Sequence, residues 1–272
     1  LDVAQARDRG RVARYARGMS IAEFAPPITT PSQLIDALRA KGFAVLAPDF
    51  VCGLTAFSIA ELDGLATYWH DMPADPYLRD SGHYRRRRHG SYLIEGEGCL
   101  RAPHRAHFQP PEYNALHGGM LRWFSPLAEG LAESAAWPRL LTGIGRICSE
   151  LKPSAHWSVE AHQFRIDTSD GIGRPTPEGA HRDGVDFVAL FLIGKRHIRG
   201  GETRVFDARA PSGLRFTLSE PWSLLLLDDE RVIHESTPIQ PLLEAPEAER
   251  AGYRDTLVLT YRREGFQEPH AR

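Results

Sequence analysis

Three side chains in the C-terminal half of the sequence have the types and spacing to hold a divalent metal. His181 and Asp183 stand two apart in the run His181-Arg182-Asp183-Gly184, and His234 follows in DDERVIHESTP. In an extended segment residues i and i+2 point to one face, so an imidazole and a carboxylate would be aimed at one point. His234 comes after the apolar run Leu224–Leu227 and would return from a facing strand to close a third position. Two imidazoles and one carboxylate on one side of a metal leave its other positions open. The same residues also fit a hydrogen-bonded turn pair and an ordinary strand-end histidine.

Such a set is the facial triad of non-haem Fe(II) oxygenases. A 2-oxoglutarate cosubstrate chelates the metal through its 1-carboxylate and 2-oxo oxygen, which leaves a distal carboxylate to be neutralised. A guanidinium suits that carboxylate because it offers paired donors and stays charged when buried. Arg254 opens the run Arg254-Asp255-Thr256-Leu257-Val258-Leu259-Thr260, and alternation sends Arg254, Thr256, Val258 and Thr260 to one face. Arg254 is therefore the expected anchor, with Arg262, of the same parity, in reserve. The plainer alternative makes Arg254 a rim residue paired with Asp255 or a nearby Glu.

The elements that must position these groups follow from the pattern. From about residue 155, strand-length apolar segments alternate with Gly, Pro and Asp: 156–166, 187–193, 203–206, 224–227 and 256–261. Short strands at this spacing predict an all-β sandwich or barrel. The expected fold class is α+β, a jelly-roll, cupin-like core with helices packed on one face. The expected layout is a single domain over 1–272. Residues 1–155 would be mainly helical with early strands, and residues 156–265 would be the core carrying the iron site.

Within the first part, Ser32 is expected to cap a helix over 33–41 that Gly42 stops, with a strand over 43–46. Ser58 and Glu61 form a capping-box pattern opening a second helix towards His70. Residues 117–150 carry Leu, Ala and Ile at helical spacing, with Pro138 expected to separate two helices. Residues 72–116 read as irregular. They contain Arg85-Arg86-Arg87-Arg88, read as a solvated loop or face, as a nucleic-acid patch, or as the source of an arginine facing a substrate carboxylate.

The bulk composition is that of a globular chain, with 42% hydrophobic and 25% charged residues among 272. A formal charge of −2 gives no general attraction to nucleic acid or to an anionic membrane. No stretch approaches the roughly 20 apolar residues that span a bilayer. Cys52, Cys99 and Cys148 are too dispersed for a disulfide framework or a zinc-thiolate site, which suits a reducing cytoplasm. The opening LDVAQARDRGRVARYARG lacks a hydrophobic h-region. Asp2 and Asp8 argue against a transit peptide, so it is expected to be a surface helix of a slightly trimmed chain.

Taken together, the segments HFQPPEYNALHGGMLRWF (107–124), VEAHQFRID (159–167), TPEGAHRDGVDFVALFLIG (176–194), IRGGETRVFD (198–207), LLLLDDERVIHESTPI (224–239) and YRDTLVLTYRR (253–263) resemble one family in order and content. It is the 2OG-Fe dioxygenases that include L-isoleucine 4-hydroxylases and related free amino acid hydroxylases. The resemblance covers roughly residues 100–263 and is weaker over the first hundred. It implies a jelly roll, Fe(II), 2-oxoglutarate and O2, with release of succinate and CO2. By motif it implies His181, Asp183 and His234 as iron ligands and Arg254 as the 2-oxoglutarate anchor, with Thr203 and Gln163 beside the cosubstrate. Phe164 stands where the family often has a small aliphatic residue and is expected to reshape that wall.

The substrate is then expected to be a small molecule, an amino acid free or modified, with no nucleic-acid or membrane partner and with a homodimer allowed. Gln109, Tyr113 and Asn114 lie in the family-like HFQPPEYN segment, and Arg165 is placed on the same side as Gln163. Arg165 is the expected cation for a substrate carboxylate. Glu160 or Asp186 is the expected acceptor for its ammonium. Asp228 and Asp229 either orient the His234 imidazole or cap the turn after a strand. His104, His107 and His162 read as hydrogen-bonded core or pocket histidines, and Trp123 and Phe124 as core. Alternatives are the same chemistry on a protein or other small molecule, or a non-catalytic cupin-like metal-binding barrel.

Overall fold

The computed structural model describes residues 24–80, 82–242 and 251–269, so the arginine-rich opening segment lies outside the described residues. A 3-10 turn (Pro31–Gln33) leads into α1 (Leu34–Lys41), which Gly42 ends in the left-handed conformation (φ 76°) before β1 (Phe43–Leu46). Ser32 sits inside that turn and does not cap the helix, because Pro31, with its fixed φ and no N–H to satisfy, starts the turn earlier. Next come α2 (Pro48–Thr55) and α3 (Ile59–Leu65), the latter opened by the expected Ser58–Glu61 capping box.

Two expectations fail in the next stretch. The arginine run is not in a loop; it opens β2 (Arg85–Glu95), which pairs with β3 (Gly98–Arg101). Residues 117–128 are not helical, for Gly118 and Gly119 (φ 76°) break the pattern, and extended chain follows to β4 (Ser125–Pro126). The helical spacing belongs to α4 (Glu129–Ala132) and α5 (Ala136–Leu151). Pro138 lies in the first turn of α5, where a missing N–H loses no helix bond, so it divides nothing.

The strands of the second half are β5 (His156–Asp167), β6 (Phe187–Arg196), β7 (Ile198–Gly200), β8 (Thr203–Asp207) and β9 (Gly213–Phe216). They continue with β10 (Leu224–Asp228), β11 (Val232–Ser236), β12 (Ile239–Pro241) and β13 (Tyr253–Arg262). The major sheet has the order β1-β10-β6-β13-β5-β2-β3, with β4 beside β2. The N-terminal part thus supplies strands to the barrel and is not only a helical layer beside it. Opposite lie β11-β8-β9 and the pair β12-β7. This is the expected fold class, a double-stranded β-helix with helices on one face.

Alternation divides every long strand of the major sheet. Phe187, Ala189 and Phe191 of β6, Leu257, Leu259 and Tyr261 of β13, and Trp157, Val159 and Ala161 of β5 pack against Leu38 of α1 and Leu140 and Ile144 of α5. Their neighbours point into the barrel. At one end Val188, Leu192, Leu225 and Leu227 meet Val205, Phe216 and Val232 of the opposite strands in an apolar plug. Each fully buried side chain of this kind contributes about 1.5–3 kcal/mol, enough to fix a register in which one slip would reverse the faces. The rest of the interior is a cavity lined by charged and polar side chains together with apolar ones such as Phe164, Leu190 and Val258. Among the described residues no single helix is long and apolar enough to cross a membrane.

Candidate active site

His181 lies on extended chain beside β11 as an isolated antiparallel bridge to His234. Each N–H donates to the other residue's carbonyl, at 3.0 and 2.9 Å. The two imidazoles therefore lie side by side, with ring centroids 4.6 Å apart. His181 Nε2 and His234 Nε2 each stand 3.7 Å from a different oxygen of Asp183. One ligand atom from each of the three residues falls within 4.8 Å of the others. An N–H on His181 Nδ1 donates to the Gly179 carbonyl at 2.9 Å, so Nε2 is the nitrogen whose lone pair is freed when the ring gives up its second proton to a metal.

The turn carrying Asp183 is clamped from two sides. Asp229 accepts the backbone N–H groups of Asp183, Gly184 and Val185, while the Gln267 amide donates to the carbonyls of Asp183 and Gly184. Gly184 adopts φ 74°, and a Cβ there would run into the Tyr113 ring. Gln109 Nε2 donates to Asp183 Oδ1 at 3.1 Å. Neither acid of the Asp228-Asp229 pair orients an imidazole: Asp229 caps the Asp183 turn and Asp228 accepts from Lys152 at 2.8 Å.

The electrostatics of the triad ask for a cation. Burial disfavours a charged His181, yet the Asp183 carboxylate overrides it and pushes the imidazole up to about 10. Burial and the charge of His181 push His234 down to about 4. Asp183 is held well below the usual carboxylate range; burial opposes this, but the two imidazoles prevail. Without a metal the one proton of the set rests on His181, beside the Asp183 carboxylate and a neutral His234. A metal competes for the same point, so the donor set fits a divalent ion of the Fe(II) type.

A cavity of about 120 Å³ opens from the triad into the barrel. Arg254, Thr256, Val258 and Thr260 line it on one parity of β13, as the alternation predicts. Arg254 is 4% exposed, its Nη2 has no partner, and it makes no hydrogen bond or ion pair among the described residues. Burial lowers its pKa to about 10. A buried guanidinium with no carboxylate of its own, in the cavity that holds the triad, fits the distal carboxylate of 2-oxoglutarate. Arg262, the reserve anchor, instead donates to the Glu264 and Gly265 carbonyls and does not line this cavity.

Several other residues fall where the sequence reading did not put them. Gln163 and Arg165 share the outer parity of β5 with Trp157, Val159 and Ala161. Gln163 bonds the Ala128 N–H and the Tyr68 carbonyl. Arg165 is locked in a two-bond pair with Asp255, at 2.8 and 2.7 Å. Asp186 accepts from Arg263 in a separate surface cleft, which Tyr113 also lines. Thr203 is buried on β8 across from Ser236, its Oγ1 without a partner, and does not line the cavity. Gln109 and Asn114 do line it, bonded to each other at 3.0 Å.

The inner parity of β5 and β2 makes the far wall. Glu160, His162 and Phe164 line it from β5, and Arg85 and Arg87 from β2. Arg122 joins them from the segment that bridges to His107. Glu160 accepts from His89 at 3.0 Å and from His107 at 3.2 Å. These two histidines, Glu160 and His162 also lie within ligand reach of one another. However, the Arg87 guanidinium, 3.0 Å from His162 Nδ1, opposes a second cation there. His104 bonds the Phe124 carbonyl outside the cavity; Phe124 is buried, but Trp123 is 56% exposed and not core. The sequence reading missed Arg122 and Glu178 altogether. The signal for this wall was the parity of β5, where Ser158, Glu160 and His162 are polar and the intervening Trp157, Val159 and Ala161 are apolar.

The chain matches the family model described as 2OG-Fe dioxygenase over residues 66–260. No curated protein sequence matches it. Among solved structures, a bsmA homolog from Methylobium petroleophilum PM1 is 50% identical with a TM-score of 0.84, the alignment covering 90% of this chain and 99% of that one. IDO from Bacillus thuringiensis, 17% identical over 88% of this chain and 100% of its own, has the same fold at a TM-score of 0.69. So does the Fe(II)/α-ketoglutarate-dependent dioxygenase TqaL, 21% identical over 85% of this chain and 86% of its own, at 0.65.

Proposed function

This chain belongs to the 2OG-Fe dioxygenase family, and we propose that it hydroxylates an unactivated C–H bond of a free or lightly modified L-amino acid, as L-isoleucine 4-hydroxylases do. In this reading His181, Asp183 and His234 hold Fe(II), and Arg254 anchors 2-oxoglutarate. Membership brings Fe(II), 2-oxoglutarate and O2, and a small-molecule or peptide substrate. The observation that carries the reading is the pairing, in one cavity, of a two-histidine, one-carboxylate set with an uncompensated buried arginine.

Bound Fe(II) supplies the oxygen chemistry: coupled oxidation of 2-oxoglutarate to succinate and CO2, with insertion of one oxygen atom into a substrate C–H bond. The protein's part is placement. His181, with its Nδ1–H on the Gly179 carbonyl, keeps Nε2 turned to the metal point. Gln109 and the Asp229 clamp fix the carboxylate of Asp183. Arg254 holds the distal carboxylate of the cosubstrate, and Val188, Leu190 and Val258 give its methylenes a dry wall.

The charges around the cavity support a zwitterionic substrate. Arg85, Arg87, Arg122 and Arg254 are balanced by Asp75, Glu160, Glu178 and Asp183, and the two charges of Fe(II) by those of 2-oxoglutarate. A ligand of zero net charge with separated ends suits that balance. A non-catalytic metal-binding barrel gives no reason for Arg254 to be buried unpaired.

The test is Arg254→Met. Removing one member of a buried charge pair costs about 2–5 kcal/mol, a loss of roughly 30- to several thousand-fold in 2-oxoglutarate affinity. Calorimetric titration of the Fe(II) protein under argon measures it, and an unchanged affinity contradicts the assignment.

A further inference from the structure

Arg254 is not the only buried guanidinium of the cavity without an ion pair. Arg122 is 2% exposed; among the described residues its Nε has no partner, and the guanidinium's one hydrogen bond, to Gln109 Oε1, is long at 3.5 Å. Arg87 is 5% exposed; among the described residues its Nη2 meets only His162 Nδ1, and its Nε has no partner. The two guanidiniums gather around one ring, their carbons 4.0 and 5.9 Å from the Phe124 centroid, and Phe164 covers Arg87 from 4.6 Å. Neither guanidinium is in an ion pair among the described residues, although Glu160 stands on the same wall, and two like charges buried together repel each other unless an anion comes between them. Since arginine can only donate, His162 Nδ1 accepts, and the neutral ring keeps an Nε2–H as a third donor at the same wall.

One group of opposite sign is left over in the same cavity. Glu178 lines it with Oε2 buried and unpartnered, and its Oε1 stands 3.5 Å from His181 Nε2, the atom assigned to the metal. Once that nitrogen is taken, Glu178 has no donor left to it among the described residues. An ammonium satisfies a buried carboxylate of this kind.

We propose that Arg122, with Arg87 and His162, binds the carboxylate of the substrate, and that Glu178 binds its ammonium, so that the cavity reads an α-amino acid by both ends. The inference rests on the dioxygenase reading and moves substrate recognition away from Arg165 and Asp186. The carboxylate lies at the β2 wall and the ammonium beside the triad. The side chain is then placed against Phe164, Ile166 and Pro175. Glu160, already held by His89 and His107, stays part of the wall.

The experiment uses the full-length protein loaded with Fe(II) and 2-oxoglutarate under argon, so that ligands bind without turnover. The probes are the twenty free L-amino acids and, for each that binds, its carboxamide and its desamino acid, measured by calorimetry. The variants are Arg122→Met and Glu178→Gln. Arg122→Met is expected to weaken the amino acid and the desamino acid at least about thirtyfold. The already weak carboxamide should lose nothing more. Glu178→Gln should weaken the amino acid and its carboxamide and spare the desamino acid. Both variants should bind 2-oxoglutarate within threefold of the unsubstituted protein, which also shows that they fold. The proposal is overturned if either variant leaves amino acid affinity unchanged, or if Arg122→Met weakens 2-oxoglutarate instead. It is also overturned if no amino acid binds to protein that binds 2-oxoglutarate, and the dioxygenase reading then stands alone. Loss of 2-oxoglutarate binding in the unsubstituted protein would overturn that reading as well.

Discussion

The carboxylate of Asp229 accepts the backbone N–H of Asp183 at 3.0 Å and those of the next two residues at 2.8 and 3.2 Å. The buried acid pins, through the main chain, the turn that carries Asp183 beside His181 and His234. Burial and the neighbouring Asp183 charge push its pKa up to about 7, although the three N–H groups lower it.

Asp229→Asn replaces an all-acceptor group with one that turns an NH2 towards N–H donors. The turn should loosen and Fe(II) affinity fall about 10- to 100-fold, the usual effect of losing a group that orients a metal ligand. Competition titration against a metal-binding dye checks it. Unchanged affinity would make Asp229 a purely structural acid.

Gly184 permits the positive φ of that turn and the close approach of the Tyr113 ring. Gly184→Ala should cost about 1–3 kcal/mol in urea unfolding, through backbone strain and overpacking together. Adding Tyr113→Ala should recover the overpacking share only. If the double variant is no more stable than the single one, the ring is not what excludes a side chain.

Stability of the metal-free protein should fall as pH drops below about 6.5. Burial lowers the pKa values of His89, His107 and His162, that of His107 to about 3. The neighbouring charges are Glu160, which favours protonation of His89 and His107, and Arg87 and Arg122, which oppose it. Each histidine's contribution is complete above the unfolded value near 6.5 and is lost as pH falls towards the folded value. His181, raised to about 10, is protonated in both states below 6.5 and adds no slope there; His234, lowered to about 4, adds to the fall, and Asp229, raised to about 7, opposes it by the equivalent of one group. The slope approaches about 1.4 kcal/mol per pH unit for each such histidine once pH is well below 6.5. Urea unfolding at pH 7, 6 and 5 measures it, and a flat profile would mean that these histidines titrate normally in the fold.

Much of this was legible in the chain. His181, Asp183 and His234 stand out because a metal needs those types at that spacing, and Arg254 because strand alternation places it with Thr256 and Val258. Parity was misread on β5. Gln163 and Arg165 look like pocket residues until Trp157, Val159 and Ala161 show that their parity faces the helices. The arginine run was obscure for a different reason. Four charges in a row suggest solvent, and only the pairing of β2 with β5 reveals that every second one is turned inward. Arg122 and Glu178 come from chain between the regular elements, where no period announces a direction.

The most direct test of the central claim is succinate formation from 2-oxoglutarate by the Fe(II)-loaded protein in the presence of O2 and pooled free amino acids, with mass spectrometry for a +16 product. Fe(II)-dependent succinate with a hydroxylated amino acid is predicted, lost in His181→Ala and Asp183→Ala variants that remain folded. Succinate that persists in those variants, or none from the unsubstituted protein with metal bound, would contradict it.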